Sequence, residues 1–335
     1  MTDNSSVFGL GHQARCLTAV THSTEQSKFL AGTVGAKDNV VCLLEYDDDN
    51  TTINSTMFAH PEEVWDIVSC PADENLLFTS HSPVSGNPSE KKATLWRKPT
   101  KESLTETNTL YDLEPVVTLE HSGIKKVLVD PKEDAQRIVS IDSSKIYFAT
   151  LDSSCQTLLE IDASPVLDTD SVSLHRIQNA VWNTHQPELI VVGGRNLSGW
   201  DLRSGKNSFS RFDAHKSTIR AVDYNSNKPY HVSTGGDDAL LHIWDTRSLK
   251  EPLKTIEGHS HWVWSVAFNP LQDQLLLSSS SDTLVNLHNI VSISSASYLD
   301  DSSEDELDSP STTKPSDGLV CTYDQHEDSV YKSRH

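Results

Sequence analysis

Residues 215–288 read HKSTIRAVDYNSNKPYHVSTGGDDALLHIWDTRSLKEPLKTIEGHSHWVWSVAFNPLQDQLLLSSSSDTLVNLH, and this stretch decides the fold. His215 recurs as His259, 44 residues on, and the dipeptide Trp200-Asp201 recurs at the same interval as Trp244-Asp245 and, weakened, as His288-Asn289. Between each His and its dipeptide lie three short apolar runs separated by turn residues. They are 219–224, 230–234 and 240–244 in one copy, and 263–268, 275–279 and 284–287 in the next. Three runs plus a fourth after the dipeptide make a four-stranded antiparallel sheet in about 44 residues, with no room for an amphipathic helix. A sheet that small cannot bury both faces alone, whereas stacking against copies of itself buries them.

Gly258-His259, Ser233-Thr234-Gly235-Gly236, the turn residues Asp238 and Asp282, and the closing Trp244-Asp245 resemble the WD40 family of β-propellers. The resemblance implies an all-β chain forming a single propeller over 1–335, of the seven-bladed pattern with an incomplete seventh blade. The expected blades are 7–50, 56–100, 117–155, 170–205, 211–250 and 255–295, with a partial one over 320–335. The second copy is stretched by an insertion at 82–92, and the fourth has Gly194 where the turn Asp belongs. The seventh begins at His326-Glu327-Asp328-Ser329-Val330-Tyr331, with only Lys332-Ser333-Arg334-His335 after it, so the sequence reads as a truncated ring. A six-bladed closure would leave that seventh start unexplained.

The family resemblance also bears on the buried polar residues His215, Ser233, Asp238 and Trp244, with His259 and Asp282 in the next copy. It implies a hydrogen-bond network in which the turn Asp accepts from His, and His and Ser reach the Trp indole. Recurrence at blade spacing favours this structural role over a Ser-His-Asp triad, which needs one constellation with an oxyanion site. Gly9-Leu10-Gly11-His12-Gln13-Ala14 fits G-x-G-x-x-A but follows no strand and opens no helix. No His/Cys group has metal spacing, so neither catalysis, cofactor nor metal is expected.

The charge points the same way. The chain has 335 residues and a formal charge of −21, which opposes broad contact with nucleic acid or an anionic membrane. There is no signal peptide or spanning run, and five scattered cysteines make no disulfide framework. The chain reads as cytoplasmic. Residues 296–319 hold six acids between Asp300 and Asp308 and read as a disordered acidic loop, with Ser302 and Ser303 in acidophilic-kinase contexts.

Aligning the copies gives the residue just before each inner strand: Arg15, Trp65, Lys125, Gln178, Arg220, Trp264 and Tyr331, with Trp262 nearby. These aromatic and long cationic types suit a protein-binding rim, although some of the indoles could instead pack between blades. Trp262 and Trp264 flank Val263 and should share a strand face, one of them in the core and the other exposed.

More of the chain resembles one branch of WD-repeat proteins, those that interact with endosomal tethering complexes. The residues are His60–Trp65 with Ile67, Gly199–Ser204, Gly236-Asp237-Asp238, Trp244–Arg247, His259–Trp264, Asn289–Ser295 and Tyr323–Tyr331. That resemblance implies a non-catalytic scaffold whose partners are subunits of the endosome-associated recycling and Golgi-associated retrograde complexes. It implies peripheral association with endosomes and the trans-Golgi network, and roles in retrograde transport, endosomal recycling and dense-core vesicle sorting. The rival reading is a substrate receptor of a cullin–RING ubiquitin ligase, with Arg203 and Arg247 of the two W-D-x-R motifs as adaptor contacts. A third class, a histone or peptide reader, would need an aromatic cage from Trp65, Trp264 and Tyr331.

Overall fold

The computed structural model describes residues 6–20, 27–84, 87, 90–100, 109–132, 136–152, 154–166, 176–295 and 316–334. Among them the architecture is all-β, six propeller blades in two compact units, with strands numbered in chain order. The first unit, 1–219 with 334, holds four blades. Its first sheet runs β1 (Gln13–Ala19), β2 (Ser27–Val34), β3 (Val40–Asp47) and β4 (Thr52–Ala59), with the short β8 (Leu110–Asp112) parallel to β4. The second is β5 (Glu63–Cys70), β6 (Asp73–Ser82), β7 (Lys92–Arg97) and β9 (Glu114–Thr118). The third is β10 (Lys126–Val129), β11 (Arg137–Ile141), β12 (Lys145–Thr150) and β13 (Thr157–Asp162). The fourth is β14 (Ile177–Trp182), β15 (Glu188–Gly193), β16 (Asn196–Asp201) and β17 (Lys206–Arg211).

The second unit, 220–333 with 335, holds two blades. One is β18 (Ile219–Tyr224), whose first residue belongs to the other unit, with β19 (His231–Gly236), β20 (Leu240–Asp245) and β21 (Lys254–Glu257). The other is β22 (Val263–Phe268), β23 (Leu275–Ser280), β24 (Val285–Asn289) and β25 (Gly318–Tyr323). No helix among the described residues is long and apolar enough to cross a membrane.

The inner three strands of each sheet are the apolar runs of the repeat. Within each unit their side chains form the layers between consecutive sheets, such as Phe58, Val64 and Leu77 between the first two and Ile141, Ile146 and Leu189 between the third and fourth. The outer strand is where the expected spans fall short. β4, β9, β13, β17, β21 and β25 lie wholly beyond 7–50, 56–100, 117–155, 170–205, 211–250 and 255–295. These strands are largely exposed or half-buried, and β17, Lys-Asn-Ser-Phe-Ser-Arg, is polar as well, so they carry little of the alternation that marks a strand in sequence.

The expected loop 296–319 is corrected at its end. Residues 296–315, with Ser302 and Ser303, lie outside the described residues. Asp317 is held by Lys254 at 2.5 Å and by the Ser292 N–H at 2.8 Å, and Gly318 and Leu319 already belong to β25, which pairs antiparallel with β24. The expected partial blade over 320–335 therefore loses its first residues to the sixth sheet. Residues 324–334 form no strand.

Candidate protein-binding rim

The repeated polar residues come first, because they hold the blades rigid. In the second sheet the Trp96 indole N–H donates to Thr79 Oγ1 at 2.8 Å, and that hydroxyl lies 3.0 Å from His60 Nε2. His60 Nδ1 in turn lies 2.7 Å from the Glu62 carbonyl. The sixth sheet repeats the chain with a substitution. His288 Nε2 stands 3.3 Å from Ser278 Oγ, Ser278 Oγ 2.8 Å from His259 Nε2, and His259 Nδ1 3.0 Å from Asp282. His288 thus stands where the missing Trp would, its Nε2 meeting the central hydroxyl over a longer distance. Burial pushes both His60 and His288 down to about 4, and it also lowers His259. Burial alone would raise Asp282, but the Ser260 N–H, His259 and the Leu284 N–H outweigh it and hold the carboxyl below its ordinary value.

In the fifth sheet the hydroxyl on the Trp244 indole is that of Thr234, at 2.9 Å. The expected Ser233 is one residue away and donates to the Asp223 carbonyl at 3.4 Å. Successive residues of a strand face opposite ways, so an expectation one residue out of phase names the wrong face. His215 is buried, and Asp238 Oδ1 accepts from the Leu240 N–H at 3.3 Å.

Of the rim residues aligned with the inner strands, only Lys125 lies just before one. Arg15, Trp65, Gln178 and Trp264 lie inside them, each the extra residue skipped where the register shifts. Arg220 is the second residue of β18, Lys125 comes one before β10, and Tyr331 lies in no strand. A bulge leaves one residue unpaired and turns its side chain away from the alternation of its neighbours. The fold thus presents Arg15, Trp65, Gln178, Arg220 and Trp264 from rigid strands instead of loops.

In the first unit the Trp65 indole donates to Ser82 Oγ at 2.8 Å and carries two cations, Lys91 Nζ 4.3 Å and Arg15 Cζ 5.4 Å from the ring centre. Lys125 Nζ donates to the Ile177 carbonyl at 2.8 Å. Burial, then Arg176 and Lys91, brings Lys125 down to about 8; burial, then Arg15, lowers Lys91. Lys91 and Arg176 are the residues that sequence reasoning missed. Lys91 sits in the insertion 82–92, which has no counterpart in other repeats, so alignment could not reach it.

In the second unit Arg220 forms a two-pronged pair with Asp237, 2.8 Å on each prong, with its guanidinium 5.1 Å from Trp264 and 5.5 Å from Trp262. Trp262 and Trp264 meet edge to face at 5.9 Å, and Tyr331 lies 5.1 Å beyond Trp264. Neither indole is in the core: Trp262 is 40% exposed and Trp264 half-buried, because the bulge at Trp264 breaks the alternation around the fully buried Val263. The Val330 N–H donates to the Ser280 carbonyl at 3.0 Å, Ser329 Oγ donates to Ser281 Oγ at 3.0 Å, and Ser281 also receives the Trp264 indole N–H at 2.6 Å.

The two W-D-x-R arginines turn back on their own motifs. Arg247 forms a two-pronged pair with Asp245 at 3.0 and 2.7 Å and lies 4.3 Å over Tyr230. Arg203 reaches Asp201 only through Nε at 3.4 Å. No group of three or more metal-ligating side chains lies together among the described residues.

The family model described as EIPR1 beta-propeller matches residues 2–288. The chain is 34% identical to EARP and GARP complex-interacting protein 1 of Homo sapiens, over 98% of this chain and 90% of that protein. It is 31% identical to WD repeat-containing protein DWA2 of Arabidopsis thaliana and 30% identical to EARP-interacting protein 1 of Caenorhabditis elegans, each over 97% of this chain and 88% of the relative. With the repeat, the six blades and a match along nearly its whole length, the chain belongs to the EIPR1 beta-propeller family.

Proposed function

We propose that this protein is a non-catalytic scaffold that binds subunits of the EARP and GARP tethering complexes through its bulge-borne rim. It would support their recruitment in endosomal recycling, retrograde transport and dense-core vesicle sorting, while itself cytoplasmic and peripheral to endosomes and the trans-Golgi network. The observation that carries the reading is whole-length similarity to relatives named for interacting with those complexes. The rim supplies the means: indoles and guanidiniums preorganised by ion pairs and hydroxyls lose little entropy on binding.

The same reading takes His326–Tyr331 as the opening of a seventh WD40 blade. In its support, the Val330 N–H meets the turn of the preceding sheet as the Ile177 and Ile219 N–H groups meet Ser143 and Gly194, both at 2.8 Å.

The test is affinity purification of the full chain with mass spectrometry. Wild type should recover EARP and GARP subunits, and Trp65→Ala with Trp262→Ala should lower recovery about tenfold. Failure of wild type to recover any subunit would overturn the reading. If wild type instead recovers a ligase adaptor that Arg203→Glu and Arg247→Glu abolish, the ubiquitin-ligase reading takes its place.

A further inference from the structure

A cleft of about 260 Å³ opens between the third and fourth sheets, both in the first unit and away from the rim residues. Its floor is aromatic, with Phe148 and Trp182 tilted at 46° and 6.3 Å apart, and Leu202 buried beside them. Leu158 forms one wall and is 57% exposed. It is the extra residue of a bulge in β13, the residue skipped between Phe148↔Leu159 and Ala149↔Thr157. In β17 the corresponding bulge residue is Ser208, exposed and polar. The fold therefore does not demand an apolar side chain there, and exposing a leucine costs free energy that this position need not incur.

Two arginines stand at the cleft, and neither is used up. Arg137 Nη2 forms an ion pair with Asp130 at 2.8 Å, and Arg203, 75% exposed, gives Nε to Asp201 at 3.4 Å. The remaining side-chain donors of both have no partner among the described residues. Guanidinium forks match carboxylates in geometry as well as charge. In a chain of net charge −21, an apolar recess edged by two open guanidiniums selects for an acid-bearing partner and against a basic one. The volume lies just below the range of sites for drug-sized ligands, which suits one large side chain better than a cofactor.

We propose that this cleft is a second docking site, independent of the rim, for a short partner peptide that inserts one large apolar side chain between Leu158 and Trp182 and sets a neighbouring carboxylate on Arg203 and Arg137. The probe is a phage-displayed library of random short peptides, selected on the immobilised full chain. Enriched peptides should share a large apolar residue next to Asp or Glu. By fluorescence anisotropy, a labelled enriched peptide should bind Leu158→Asp and Arg203→Glu about tenfold more weakly than wild type, and bind less tightly as salt rises. Arg247→Glu, outside the cleft, should bind as wild type does. Both cleft substitutions are on exposed side chains and should leave thermal melting unchanged, which separates lost docking from lost folding. No enrichment, a basic consensus, or binding that Leu158→Asp and Arg203→Glu do not weaken would overturn the proposal. Tether capture by the rim is unaffected by either result.

Discussion

At the scale of single residues, the rigidity of the second, fifth and sixth blades passes through one hydroxyl each: Thr79, Thr234 and Ser278. Thr79 and Thr234 accept from an indole N–H, Thr79 also meets His60, and Ser278 meets both His259 and His288. Burial pushes the His60 imidazole down to about 4 and so keeps it neutral there at ordinary pH. An unfolded histidine titrates near 6.5, so the unfolded chain takes up protons first as pH falls. The stability from neutral His60 and His288 is complete above about pH 6.5 and is lost toward pH 4. We expect the unfolding midpoint to drop between pH 7 and 5, by of order 2 kcal/mol per histidine, and His288→Gln to flatten that slope; a wild-type midpoint constant over this range would refute the assignment. The sequence repeat made these polar sets legible but not their phase, since adjacent Ser233 and Thr234 are both hydroxyls and only the strand's pleat separates them. A second expectation concerns Thr283, which holds φ at 71°, in the left-handed region that a β-branched side chain resists. Thr283→Gly should raise stability by about 1 kcal/mol in chemical denaturation, whereas the same change at Thr322, in an ordinary strand, should lower it.

At the scale of elements, the inner strands were legible because they carry apolar residues packed against a neighbouring sheet, and the outer strands were not, because one edge faces solvent. β25 shows this most clearly. It joins the sixth sheet after the long acidic stretch, and contacts of Lys254 and Ser292 with Asp317 and of Asn289 with the Ser316 carbonyl mark where it begins. Burial alone would raise the Asp317 carboxyl, but Lys254 and Ser292 hold it below its ordinary value. Asp317→Ala should therefore speed amide exchange across Gly318–Tyr323 by about tenfold while β22 and β23 keep their protection. Equal loosening of all strands would instead mean that β25 is integral to the blade's cooperativity. Rim positions were legible as residue types, but the bulges that aim them leave no mark in a single sequence. Sheet contact is tight where glycine allows it. A Cβ on Gly235 would stand 2.6 Å from Val263 Cγ1, so Gly235→Ala should cost about 1–3 kcal/mol by denaturant titration.

At the scale of the whole chain, the charge of −21 sets how stability answers to salt. Six of the acids lie within nine residues, and neutralising them takes the charge to −15. Exposed ion pairs such as Lys145–Glu160 at 2.5 Å contribute little, because water and ions screen both partners. The net term is therefore the mutual repulsion of the excess carboxylates, which is relieved when the chain expands. At 0.01 M salt the Debye length of about 30 Å exceeds the spacing between most surface charges; at 0.15 M it is about 8 Å and only near neighbours still interact. Thermal unfolding should accordingly shift upward with added sodium chloride over that range. A variant with Asp300, Asp301, Glu304, Asp305, Glu306 and Asp308 changed to Asn or Gln should start about 2 °C higher at low salt, and the two curves should converge as salt rises. Parallel curves would locate the repulsion outside the acidic stretch, in the −15 that the rest of the sequence carries. A midpoint that falls with salt would mean that attractive pairs outweigh the excess, contrary to the sign argued from the composition.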